Sequence, residues 1–162
     1  SRGPRPAASG SPGHLNSMRA LGLDLGTKRI GVAVSDSDGR VATPVEVVQR
    51  TGDRSREHRA LADLAVEWEV GVVVVGIPYS LDGSTGPMAR SMAAEAAELD
   101  RVLGARLGIP VETYDERLTT VTAERALREQ DLRAPQRRKV VDMVAAAVIL
   151  QAWLDARRET CG

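Results

Sequence analysis

LGLDLGTKRIGVAVSD, residues 21–36, is the stretch that decides the fold. Arg19 to Leu25 (RALGLDL) reads as a short strand that breaks at Gly26-Thr27, and Ile30 to Ser35 (IGVAVS) reads as a second. Asp36-Ser37-Asp38-Gly39 supplies a turn with glycine in a permissive place. Arg40 to Val48 reads as a third strand, in which Pro44 marks an edge or a bulge. Three strands with tight links predict an antiparallel meander. Inside the first stands Asp24, a carboxylate among leucines, with Gly22, Gly26 and Gly31 around it. A buried carboxylate is expensive, so Asp24 needs a partner, a metal or water.

Downstream the pattern changes. Between Asp53 and Glu69 the residues Leu61, Leu64, Ala65 and Trp68 fall at helical spacing. Gly71 to Gly76 (GVVVVG) is an unbroken β-branched run, suited to a strand buried on both faces. A loop from Ile77 to Pro87 leads to an Ala- and Leu-rich helix, Met88 to Leu107, closed by Gly108. Ile109 to Tyr114 reads as the fifth strand, followed directly by Asp115-Glu116-Arg117-Leu118-Thr119-Thr120. A helix is expected over Thr120–Gln130 with Thr119 or Thr120 as its cap, and a last one from near Pro135 to about Arg157. The order predicts an α/β fold: a five-stranded mixed sheet, meander first and parallel strands after, flanked by helices on both faces.

Composition narrows the class. The chain has 162 residues, 22 basic and 22 acidic, with 43% hydrophobic and only 2% aromatic residues, so Ala, Val, Leu and Ile must build the core. The longest apolar run, Met143 to Leu150, has eight residues, far short of the ~18 a membrane helix needs. Cys161 is the one cysteine, which excludes an internal disulfide and a thiolate zinc site and suits a reducing compartment. Of the basic residues 20 are Arg and two are Lys, a bias that suits bidentate phosphate contact but also follows from a GC-rich genome. Residues 1–17 (SRGPRPAASGSPGHLNS) are dense in Pro, Gly and Ser and are expected to be a disordered tail or leader.

Four carboxylates sit where a purely structural role is uncomfortable. They are Asp24, Asp115 and Glu116 at the end of the fifth strand, and Asp142 in KVVDMVAAAVIL. Simple alternatives exist: Asp24 caps a turn, Asp115 or Glu116 caps a helix, and Asp142 pairs with Arg138 one turn back. Yet these elements can be neighbours in such a sheet. Hard cations such as Mg²⁺ or Mn²⁺ take oxygen ligands and keep several waters, so two or three carboxylates suffice. His14 and His58 have no companions at metal spacing, and no Ser stands in a nucleophile-elbow context. Phosphate-loop motifs are missing as well, and one domain cannot supply the two lobes of an actin-like kinase. Tyr79, Tyr114, Trp68 and Trp153 are too scattered for a base-stacking platform.

Four stretches carry a resemblance: LGLDLGTKRIGVAVSD (21–36), VVVVGIPYSLDGSTGPMA (72–89), PVETYDERLTT (110–120) and VDMVAAAVILQAWLD (141–155). Together they resemble the YqgF (RuvX) family, Holliday-junction-resolvase-like nucleases of the ribonuclease H-like superfamily, implicated in processing the 5′ end of pre-16S ribosomal RNA. The resemblance implies a ribonuclease H-like domain over 18–157, with 158–162 a flexible end. It implies that Asp24, Glu116 and Asp142 hold Mg²⁺ or Mn²⁺, two ions in all, with Asp115 as the alternative to Glu116. Lys28, Arg29 and Arg117 become phosphate contacts, and the loop Pro78 to Met88 borders the substrate groove. The expected function is metal-dependent endonucleolytic cleavage of a ribosomal RNA precursor in the cytoplasm, away from membranes. A branched DNA substrate is the alternative, a non-catalytic nucleic-acid-binding module a third reading, and a homodimer stays open.

Overall fold

The computed structural model describes residues 19–80, 82–119 and 135–161. The meander forms as β1 (Arg19–Leu25), β2 (Arg29–Ser35) and β3 (Ala42–Gln49), each antiparallel to the next. Its turn closes with Gly39 at φ 70°. Pro44 lies on β3, the edge strand, where the register slips: Val32 faces Glu46 but Ala33 faces Pro44. A proline has no N–H for the ladder, so it is tolerated at an edge and at a bulge.

Helix α1 (Arg54–Glu67) starts on Asp53, whose side chain accepts from the N–H groups of Ser55 and Arg56. Next come β4 (Val70–Ile77) and α2 (Pro87–Leu107), which ends at Gly108 in the left-handed region with φ 68°. Strand β5 (Val111–Asp115) runs into a 3₁₀ turn over Glu116–Leu118. The last helix, α3 (Pro135–Cys161), extends past the expected end at Arg157. The helix expected over Thr120–Gln130 and the tail 1–17 lie outside the described residues.

The sheet order is β3-β2-β1-β4-β5, with β4 parallel to β1 and β5 parallel to β4. Side chains alternate between its faces. Leu21, Leu23, Leu25, Val73, Val75 and Ile77 pack with α1 and α2 on one side. Ala20, Ala33, Val72 and Val74 pack with Ala146, Ile149, Leu150 and Trp153 of α3 on the other. The valine run of β4 is therefore buried twice, as its lack of alternation requires.

Helix α3 lies unusually close to the strands because glycines face it. A Cβ on Gly22 would stand 2.7 Å from Leu150 Cβ and 3.0 Å from the Ala146 carbonyl oxygen. One on Gly31 would collide with the carbonyl oxygen of Asp142. The spacing of α3 from the sheet is set by backbone contact. Among the described residues no helix is long and apolar enough to cross a membrane.

Candidate active site

Alternation decides which carboxylates meet. On β1, Ala20 and Gly22 face α3, so Asp24, two residues on, faces it too. On β5, Glu112 accepts a hydrogen bond from Trp153 Nε1 of α3 at 3.1 Å, and Tyr114 packs on the same side. Glu116 follows in the same parity. Its Oε2 and Cγ lie 3.0 Å from where a Cβ of Gly76 would stand. Asp142 enters from α3, its backbone lying against Gly31.

Strand register brings the three together. Asp24 pairs across the ladder with Gly31, and Leu23 pairs with Val75, so Gly76 stands one step further on, beside Asp24. Asp24 is thus flanked by the two glycines over which Asp142 and Glu116 lie. Adjacent strands are about 5 Å apart, so three segments far apart in sequence place carboxylates on neighbouring ground. All are buried, with relative exposures of 1% for Asp24, 0% for Glu116 and 6% for Asp142.

Arg29, at the start of β2, points into the same region. Its Nε stands 3.3 Å from Asp142 Oδ2, an ion pair with both side chains largely buried. It was expected as a phosphate contact; the structure places it inward, against a carboxylate. Among the described residues no three His, Cys, Asp or Glu side chains are gathered closely enough to hold an ion as they stand. The donor set nevertheless suits a hard cation: oxygen ligands only, from three carboxyl groups on one sheet face.

Asp115 takes the opposite parity and a different task. It caps the 3₁₀ turn by accepting from the Arg117 N–H at 2.9 Å, and it pairs with the Arg117 guanidinium at 2.5 Å. That guanidinium holds the Asp115 carboxyl below its ordinary range, and Asp115 in turn raises Arg117. Arg117 lies 5.7 Å from the Tyr79 ring centre, and its Nη1 reaches the Ser80 carbonyl at 3.4 Å, so it is braced against the loop after β4. Lys28 is exposed in the turn between β1 and β2.

A second charged cluster escaped the reading of the sequence. Arg50, just after β3, donates to Glu95 of α2 through both terminal nitrogens, at 2.7 and 2.9 Å, and to Glu57 of α1 at 2.9 Å. His58 Nε2 stands 2.9 Å from Glu95 Oε2. Burial alone would raise Glu95; hydrogen bonds from His58 and Arg50 and the charges of Arg50 and Arg54 outweigh it and lower the carboxyl to about 2. The signal was available: Glu95 lies on the same helical stripe as Met92, Ala96, Leu99 and Leu103. A groove of about 1020 Å³ opens beside this cluster, between Gly26, Thr27, Arg50 and the first turns of α2. None of Asp24, Glu116 and Asp142 lines it.

A model of the RuvX family, described as Holliday junction resolvase, matches residues 18–156. A protein of Mycobacterium ulcerans (strain Agy99) is 51% identical over 146 residues, covering 89% of this chain and 82% of that protein. One of Myxococcus xanthus (strain DK1622) is 49% identical over 141 residues, covering 87% and 90%. Both bear the name "Putative pre-16S rRNA nuclease". In fold the chain is similar to T. thermophilus RuvC in complex with Holliday junction substrate, with a TM-score of 0.56 at 19% identity over 88% of this chain and 97% of that one. From the match over nearly all of its length and the shared sheet-and-helix architecture, the chain belongs to the RuvX family and is a hydrolytic nuclease of ribonuclease H-like fold.

Proposed function

We propose that this chain is a divalent-cation-dependent endonuclease that cleaves a precursor of 16S ribosomal RNA in the cytoplasm, with residues 18–157 as the working domain. One observation carries the reading: Asp24, Glu116 and Asp142, from three distant segments, lie buried on one face of β2, β1 and β4 beside two glycines. Three carboxyl groups gathered on one sheet face offer the all-oxygen donor set that a hard cation takes. Mg²⁺ or Mn²⁺, held by these carboxylates, would supply Lewis-acid polarisation of the phosphodiester and an acidified water.

The chain's own groups supply the rest. Lys28 stands exposed on the turn that follows Asp24, and Arg117 is braced beside Glu116, so both can take phosphate oxygens on either side of the scissile bond. Phosphate contacts orient the strand without reading bases, so weak sequence preference is expected. The loop after β4, with its turn at Asp82–Ser84, borders this edge and meets the substrate first.

The names of relatives about half identical over nearly the full chain favour the ribosomal precursor as substrate. The family description favours a four-way DNA junction as the second reading. Side-by-side cleavage of a pre-16S fragment and a four-way junction, with Mg²⁺, Mn²⁺ or chelator, decides between them. Asp24→Asn and Asp142→Asn are expected to abolish cleavage without loss of fold. Binding of either polymer with no cleavage under any cation would instead support a binding module.

A further inference from the structure

The turn Gly26–Lys28 links Asp24 to Arg29, yet little of its own sequence holds it. Thr27 and Lys28 are exposed, and the hydrogen bond from Gly26 N to Asp24 O, 2.9 Å, is local. The long-range grip comes from Arg50. Its backbone N–H donates to the Lys28 carbonyl at 3.1 Å, and its Nε donates to the Gly26 carbonyl at 3.0 Å. The remaining nitrogens of the same guanidinium are held by Glu95 and Glu57. Glu57 is anchored in turn by the Thr51 and Gly52 N–H groups, at 2.6 and 2.9 Å, and Glu95 by His58.

Resting on the nuclease reading of the site, we infer that Arg50 is a positioning residue: it clamps the Asp24–Arg29 turn onto α1 and α2 from the sheet face opposite the carboxylates. Arginine suits this because a planar fork with five donors can serve a carbonyl and two carboxylates together. The guanidinium and both carboxylates are largely buried, so their mutual pairing fixes one orientation of the fork. The groove beside the cluster argues the same way. Its charged walls, Arg50, Arg54, Glu57, Glu95 and Glu98, pair with one another, so their charge is spent on geometry. Asp24 sits just before the clamped turn, and displacement of a reacting group by about 1 Å can cost on the order of a hundredfold in rate.

The test compares Arg50→Lys, which keeps the charge and loses the fork, with Glu57→Gln, which leaves the Arg50–Glu95 contact intact. Amide exchange is followed at Gly26 and Arg50, whose N–H groups donate to the Asp24 and Lys28 carbonyls of the turn, and, as a control, along β4, together with kcat, KM and Tm. In Arg50→Lys these two amides should exchange at least about tenfold faster while β4 is unchanged, and kcat should fall by roughly tenfold or more with KM little altered. Glu57→Gln should shift both in the same direction by less, and it carries the test if Arg50→Lys does not fold. Wild-type exchange at the turn, or acceleration shared equally by β4, overturns the clamp. Failure of the wild-type protein to cleave either substrate would overturn the nuclease reading, while the exchange data still decide the clamp.

Discussion

Arg29 Nε stands 3.3 Å from Asp142 Oδ2, so the arginine that follows the Asp24 turn points inward at the acid from the last helix. The pair is largely buried and joins the β1–β2 turn region to the C-terminal helix. It gives the carboxylate site an internal counter-charge, which distinguishes Arg29 from its exposed neighbour Lys28.

Removing that counter-charge should be felt most when no cation is present. Arg29→Gln is expected to lower stability by about 1–3 kcal/mol in chelator, since it leaves buried acids less compensated. Added Mn²⁺ should recover part of the loss, because the cation restores positive charge at the same place. Thermal melts with and without Mn²⁺ check this, and an identical deficit in both would contradict it.

Glu116 and Asp115 are neighbours with opposite parity, and their variants should differ in kind. Glu116→Gln is expected to reduce kcat by two orders of magnitude or more, roughly what loss of a key electrostatic group costs. Asp115→Asn loosens Arg117 and the 3₁₀ turn, so it should raise KM while kcat falls little. Matched steady-state rates separate the two, and the reverse ranking would reassign the site.

Arg117→Ala should weaken RNA binding about equally across sequences. It should also flatten the dependence of log K on log salt by roughly one ion. Titration over a salt series reads both quantities, and an unchanged slope would remove Arg117 from the phosphate contacts.

Gly31→Ala tests the close approach of α3. The new methyl would meet the Asp142 backbone, which cannot move without shifting the helix. A loss of about 3 kcal/mol, or roughly 10 °C in Tm, is expected, with cleavage impaired below the melt. Calorimetry with a rate assay at low temperature measures the two effects separately.

Acid should unfold the protein partly through Glu95. Its carboxyl is lowered from the ordinary 4.5 to about 2, so its contribution is complete above pH ~4.5 and is lost as pH falls towards 2. The contribution is on the order of 3 kcal/mol. Stability profiles of the wild type and Glu95→Gln between pH 6 and pH 2 should converge at the acid end. Parallel profiles would show that the ion cluster does not drive acid unfolding.

Local pattern was enough for much of this molecule. The meander, the doubly buried strand Val70–Ile77, the Gly108 stop and the bulge at Pro44 follow from alternation, β-branching and backbone chemistry, all of which act over a few residues. Asp24 and Asp142 also stood out in sequence, since a carboxylate in an apolar run is costly wherever the run packs. The rest depended on contacts between distant segments. Alternation along β5 turns Glu116 inward and Asp115 outward, but which face is inward is set by where α3 docks. Arg29 looked like a surface cation until α3 brought Asp142 to it. The Arg50 cluster draws on β3, α1 and α2, and its members lie 7 and 45 residues from the arginine. Charge pairing acts through space, so only the packed chain could choose those partners.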